Sequence, residues 1–270
     1  MKDIYVYGIG LTAAGMSTWV EGAAILRGDR FYDKTELPDL TPQLLRPDEK
    51  LRTTALIKLA LHVAEQATDN SAISAENPGF AKNLCSVFAS SEGDMVIVDK
   101  ICDALTIADR PVSPNQIHNC AHNAPAAYWS IATCNHLASV SLSSGPGSYA
   151  GGLLEAAGLS TVEKYPTLLV SYDWPPPEAL KPLIPIQEAF GSALIVGSEP
   201  RKHSLAKIQL ALGSEEETTL DDSALETLRL SNPAARALTV LKVIACKQAR
   251  TVVLPYLEGQ NLSVTCTPCL

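Results

Sequence analysis

The chain has 270 residues, 46% of them hydrophobic and 19% charged, with a formal net charge of −8 and no low-complexity tract. That composition describes an ordered globular protein long enough to bury a large core. With no basic stripe, no membrane-length apolar run and no leader-like N-terminus, it excludes a nucleic-acid surface and leads us to expect a cytoplasmic protein without a membrane segment. Ile4–Tyr7 reads as a short strand, Gly8-Ile-Gly10 as a tight turn, and a helix follows from an N-cap near Ser17 to Leu26. The next glycine, Gly15, falls at the wrong spacing for a dinucleotide fingerprint. Arg52–Ala67 repeats Leu56, Leu59, Ala60, Val63 and Ala67 at helical spacing. Leu84–Ser90 reads as a strand ending in Ala-Ser-Ser-Glu-Gly93, and a helix runs from about Gly93 to Leu105. Ile117–Thr133 reads as a single helix.

An apolar run from Ala138 to Leu142 then meets Ser143-Ser-Gly-Pro-Gly147 and a helix-compatible stretch, Tyr149–Leu159. A strand that delivers a residue to a helix N-terminus places it among unpaired amides and the positive end of the helix dipole, which stabilise an anionic nucleophile. Thr167–Tyr172 is a buried strand closed by Trp174-Pro-Pro-Pro177. Phe190–Val196 and Leu205–Leu212 look like a hairpin pair. Gly213–Ala224 is acidic and reads as a loop, followed by a helix over about Pro233–Lys247. Two strands, Thr251–Leu257 and Leu262–Thr267, close the chain. Apolar strands alternating with helices indicate an α/β protein with helices on both faces of a sheet.

His118 and His122 are spaced by four and would share one face of the predicted Ile117–Thr133 helix. That arrangement suits a pair of interface or core histidines, a base for a nearby serine, or a two-histidine metal site. The stretch His-Asn-Cys-Ala-His lacks the glutamate of a zinc-protease helix and no third ligand is evident, so neither a metal nor a cofactor is expected. Ser143-Ser-Gly is not a hydrolase elbow, because no glycine stands two residues before Ser144. Seven scattered cysteines read as free thiols, and Cys266-Thr-Pro-Cys269 as a strand end rather than a redox or zinc pair.

In their order along the chain, four segments resemble the N-terminal half of a β-ketoacyl synthase, the condensing enzyme of fatty acid and polyketide assembly. They are Tyr5-Val-Tyr-Gly-Ile-Gly-Leu11, Phe88-Ala-Ser-Ser-Glu-Gly93, Val112-Ser-Pro114 with Asn123-Ala-Pro-Ala-Ala-Tyr-Trp-Ser-Ile131, and Ala189-Phe-Gly-Ser-Ala-Leu-Ile-Val196. The resemblance implies a thiolase-like half, with a mixed five-stranded sheet, over residues 1–212. Residues 213–270 would add a short helix and hairpin packed on the same domain. Matching Gly152 to the glycine of the helix after the family's nucleophile puts Ser144 where the catalytic cysteine belongs. The family's second half supplies two histidines, and residues 213–270 contain none. No catalytic residue is therefore expected, with His118 and His122 as the only candidate helpers for Ser144.

By the same resemblance, Met95, Val96 and Ile97, with Asn119, Asn123, Tyr128 and Trp129, would face a partner and wall an acyl tunnel. The implied function is a non-catalytic, chain-length-factor-like subunit. It would form a heterodimer with a full-length β-ketoacyl synthase and reach acyl carrier protein through that partner, in fatty acid or polyketide synthesis that includes aryl polyene pigments. Two other functions are open at this stage: a serine-dependent acyltransferase or thioesterase using Ser144, and a scaffold that binds synthase or carrier protein without touching the acyl chain.

Overall fold

The computed structural model describes residues 3–269 apart from 72, 75, 76 and 78. Its strands are β1 (Ile4–Ala13), β2 (Cys85–Ala89), β3 (Ser139–Leu142), β4 (Thr167–Asp173), β5 (Phe190–Gly197), β6 (Ala206–Gly213), β7 (Arg250–Leu257) and β8 (Gln260–Pro268). They form one mixed sheet in the order β3-β2-β4-β5-β1-β6-β8-β7. Strands β3, β2 and β4 run parallel, and the remaining pairs are antiparallel. The principal helices are α1 (Trp19–Arg27), α2 (Pro47–Arg52), α3 (Ala55–Asp69), α4 (Met95–Thr106), α5 (Pro114–Cys120), α6 (Ala124–Thr133), α7 (Ser148–Val162), α8 (Ser223–Ser231) and α9 (Ala237–Ala245). No helix among the described residues is long and apolar enough to cross a membrane.

Side-chain alternation sorts the core into two layers. On β4, Leu168, Val170 and Tyr172 face a cluster with α3 and α6, whereas Leu169 faces the opposite cluster with α1, α7, α8 and α9. The expected α/β class is present, but the sheet has eight strands rather than five. The C-terminal hairpin is part of that sheet because β8 pairs with β6 along its whole length. Val252, Leu254, Leu262 and Val264 enter the same apolar cluster as Ile4 and Leu11.

The segment Gly8-Ile-Gly10 is not a turn. Strand β1 continues through it, with a register shift between Val6 and Gly8 that leaves Tyr7 unpaired across β5. The glycines serve close packing: a Cβ on Gly8 would lie 2.3 Å from the Ala67 carbonyl, and one on Gly10 2.1 Å from that of Val63. Helix α3 thus rests directly on the β1 backbone. Nor do β5 and β6 form a hairpin, since β1 lies between them and pairs with both.

Three predicted helices also differ from what forms. Arg52–Ala67 divides at Thr53-Thr54, where the Thr54 hydroxyl caps α3 by accepting from the Ile57 amide. The first helix starts one residue later than expected, with Thr18 rather than Ser17 as its cap. The predicted Ile117–Thr133 helix is broken between α5 and α6, and Pro125 is the cause. Proline has no N–H for the Ala121 carbonyl four residues back, and its ring would clash there, so the chain restarts at Ala124. In the C-terminal region, Ser223–Ser231 is an additional helix. Buried Arg229 pairs with Glu226 on the same helix and with Glu217, holding the acidic loop down.

Gly10→Ala should be among the most destabilising single-methyl additions in this chain. The new Cβ meets backbone rather than a movable side chain, so a loss of about 1–3 kcal/mol or more is expected in chemical denaturation.

Candidate functional site

The strand-to-helix turn at Ser144 is built as its sequence implies. From β3 the chain passes through Ser143, Ser144 (φ −146°) and a 3-10 turn at Gly145–Gly147, where Gly145 takes φ +51°, and enters α7 at Ser148. The amide of residue 144 would be the natural donor toward a developing oxyanion. Here it donates to Ser148 Oγ at 3.0 Å, and that hydroxyl in turn donates to the Gly145 carbonyl at 2.8 Å.

Strand β7 closes the turn from behind. A Cβ on Gly147 would lie 2.0 Å from the Tyr256 carbonyl oxygen. A Cβ on Gly151 would sit 3.7 Å from Tyr256 Cε2, 3.7 Å from Leu142 Cδ1 and 4.0 Å from Ser144 Cβ. The Tyr256 ring and Ser144 therefore both border Gly151 on one face of α7.

Because the helix breaks at Ala121, His118 and His122 do not share a helix face as expected. His118 lies edge-on to Tyr128 with ring centroids 5.6 Å apart, while His122 Nε2 is 3.1 Å from the Leu142 carbonyl oxygen. His62 lies beside Gln66, and burial lowers its pKa. No hydrogen bond among the described residues joins a histidine to Ser144. Within the same limits, no group of three or more histidine, cysteine or carboxylate side chains is placed to hold a metal.

What fixes the turn is a buried carboxylate at the end of β4. Asp173 Oδ1 accepts from Ser90 Oγ at 2.9 Å, Ser91 N–H at 2.8 Å and Ser91 Oγ at 2.9 Å, while Oδ2 accepts from the Ala234 amide at 3.0 Å. Ser143 Oγ donates to the Ser91 carbonyl at 2.6 Å. One carboxylate thus joins the ends of β2 and β4 to the 3-10 segment Pro233–Arg236, and the β2 end holds the turn. Burial pushes the Asp173 carboxyl up to about 6, against the four donors that favour its ionised form. An acidic residue at the end of an otherwise apolar buried strand was the sequence signal for this clamp. Nothing local in the sequence marks Tyr256.

The seven residues expected to wall a tunnel do not form one surface. Val96 and Ile97 line a cavity of about 270 Å³ with Thr53, Thr54, Ala55, Leu56, Asp94, Lys100 and Trp174. Met95 begins α4 beside them but does not line it. Tyr128 lines a separate groove of about 640 Å³ with Arg46, Arg52, His118 and Ile131. Asn119 is buried, donating to the Arg52 carbonyl at 2.6 Å and accepting from the Tyr128 hydroxyl at 3.2 Å. Asn123 lines a hollow of about 360 Å³ with Ala126, Ala127, Ser130 and the β3 residues Ser139 and Ser141. Trp129 lines none of these three spaces; it is 1% exposed and packs in the α3–α6 core.

Residues 31–254 match the family model described as the β-ketoacyl synthase N-terminal domain. No curated protein sequence matches the chain. Among solved structures, a chain of the ketosynthase (ApeO) complex with its chain length factor (ApeC) from Xenorhabdus doucetiae superposes with a TM-score of 0.74 at 17% identity, covering 98% of this chain and 100% of that one. The ishigamide ketosynthase/chain length factor gives 0.75 at 13% identity, covering 99% of each chain. The PfaC ketosynthase–chain length factor gives 0.69 at 12% identity, covering all of this chain and 48% of the other. At these identities the likeness is one of fold.

Two outcomes follow from this geometry. A fluorophosphonate that labels a control serine hydrolase should leave Ser144 unmodified by peptide mass spectrometry. Asp173 should also give a distinctive pH dependence. Its carboxyl is raised from 3.8 to about 6, so the native state binds the extra proton, and its stabilisation is complete below the lower value and lost as pH rises through the upper one. Relative to Asp173→Asn, wild-type unfolding free energy should therefore fall by about 3 kcal/mol between roughly pH 4 and pH 7.

Proposed function

The chain belongs to the β-ketoacyl synthase family, and we propose that within it the protein is a non-catalytic, chain-length-factor-like subunit. It pairs in the cytoplasm with a full-length synthase in fatty acid or polyketide assembly and meets acyl carrier protein through that partner. The observation that carries this reading is the turn at Ser144. The family's frame is intact, yet the thiol is replaced, the residue's own amide is taken up by Ser148, and no imidazole reaches the hydroxyl. A serine is a weak nucleophile without an oriented base, so the frame lacks the means to form an acyl-enzyme.

The sheet edges support a partner on one side. At one end, β7 is covered: the Thr218 amide donates to the Val253 carbonyl at 3.0 Å, and the Val253 amide donates to Thr218 Oγ1 at 2.9 Å. Pro255 removes a further donor from that edge. At the other end, β3 pairs only with β2 among the described strands. An uncovered edge strand is a template for pairing with another chain. Beside it lies the hollow lined by Ala127, Ser130, Ser139 and Ser141, and the flanking helices expose Ile117 (55%) and Ile131 (63%). The synthase docks on this flank, adding a strand at β3 and filling the hollow.

Ala127→Arg places a long charged side chain in that hollow. It should weaken the complex with the co-expressed synthase by at least about tenfold in sedimentation experiments, with the melting temperature of the free subunit unchanged. Ser144→Cys should not produce condensation of malonyl- and acyl-carrier substrates by the purified subunit, since the base and the free amide remain absent. Turnover by that variant alone would refute the non-catalytic assignment.

A further inference from the structure

Residues 214–222, between β6 and α8, form no helix or strand and are nevertheless fastened along their length. The Asn261 side chain donates to the Glu215 carbonyl at 2.7 Å, and the Leu220 amide donates to Glu226 Oε2 at 2.9 Å. The Leu220 side chain is buried in the same apolar cluster as α8 and α9. At the centre Thr218 meets both polar groups of Val253, with its amide on the carbonyl and its hydroxyl on the amide. Amides that face away from β8 alternate along β7, at positions 251, 253 and 255, and Pro255 has none to offer. Thr218 therefore covers the middle of that edge. Because one of its two bonds is made by a side chain, the segment does not become a ninth strand with an edge of its own. The space left beneath it, bordered by Thr218, Leu220, Lys242 and Val252, is only about 30 Å³.

The residue before Thr218 is the fastening point. Glu217 Oε1 accepts from Arg229 Nη1 and, at 2.5 Å, from Arg236 Nη1. The Arg229 side chain is 1% exposed and that of Arg236 13%. Arg229 has a second carboxylate in Glu226, whereas Glu217 is the one carboxylate paired with Arg236 among the described residues. Withdrawing Glu217 would strand a buried cation, so the two guanidinium groups hold it, and Thr218 is carried to β7 with it. Arg236 also ends the segment that gives the Ala234 amide to Asp173, which anchors the fastening in the frame of the sheet.

The outer side of the segment is acidic, with Glu215, Glu216, Asp221 and Asp222 exposed. Two copies brought together edge to edge at β7 would set these carboxylates against one another. Without the segment, β7 is an eight-residue edge, identical in every copy and able to pair with itself about a two-fold axis. We propose that residues 214–222 are an autoinhibitory strap: latched by Glu217, they occupy the β7 edge and keep it from pairing with β7 of a second copy of this chain. The β3 flank takes no part in this device.

The test uses the full chain alone, with Ala127→Arg present throughout so that contacts at the β3 flank do not contribute. Sedimentation velocity over a concentration series reads self-association. Hydrogen exchange of the Val253 amide, measured at the dilute end of the series, reads the strap. Glu217→Gln should speed that exchange and raise the self-association constant, each by at least about tenfold. Thr218→Pro removes both bonds to Val253 and keeps the carboxylate of the latch; it should also drive association, and it carries the test if Glu217→Gln does not fold. Thr251→Pro removes the neighbouring outward amide of β7 and, added to either variant, should return the chain to a monomer. A chain that stays monomeric with its Val253 amide unprotected would overturn the guarding role. An amide still protected in Glu217→Gln would overturn the latch, and association that survives Thr251→Pro would place the contact away from β7 and overturn the proposal.

Discussion

The buried carboxylate of Asp173 is the constraint on which the arrangement depends. A carboxylate with almost no exposure is costly unless donors surround it, and the donors come from places far apart in sequence: Ser90 and Ser91 at the end of β2, and Ala234 in the C-terminal segment. Each must be in place for the others to be worth burying. The same contacts hold Ser91, which holds Ser143 and so the turn that presents Ser144. They also fix the residue from which Trp174 projects. Turn and cavity are thus two consequences of one polar cluster, and the C-terminal region belongs to the clamp rather than being appended to it.

With the frame held in this way, the departure from an acyl-transfer site at Ser144 involves several atoms and not one. A thiol at that position would still find its amide engaged by Ser148, the Tyr256 ring bordering the same Gly151, and no imidazole within hydrogen-bond reach. Groups that in an acyl-transfer enzyme stabilise a transition state here hydrogen-bond one another within the turn. Shape is what a subunit needs if its role is to pair through one flank and to bound a space for a growing chain. The contrast between a covered β7 edge and a β3 edge with one open side among the described strands supports the proposed place of that pairing.

The sequence was most legible where the local signal and the tertiary role coincide. Apolar β4 and β5, the periodic face of α3 and the strand-to-helix turn at Ser144 were all evident from pattern. Gly8 and Gly10 were misread, because a glycine pair in a strand has the same local signature as a turn, and only the approach of α3 distinguishes them. Reading Ile117–Thr133 as one unbroken helix places His118 and His122 on a common face, which the break before Pro125 removes. The pairing of β6 with β8 and the seat of Tyr256 against Gly147 depend on contacts far apart in sequence, such as Ala206 with Pro268, for which no local pattern exists. Family likeness supplied the fold class, but not the eight-stranded sheet.

The most direct test of the central claim is the condensing activity of the synthase pair when this chain carries Ser144→Ala. The account predicts that turnover and product length match those of the wild-type pair, because the hydroxyl takes part in neither acyl transfer nor the cavity wall. Loss of turnover with the complex intact would show that Ser144 acts chemically and would contradict the account.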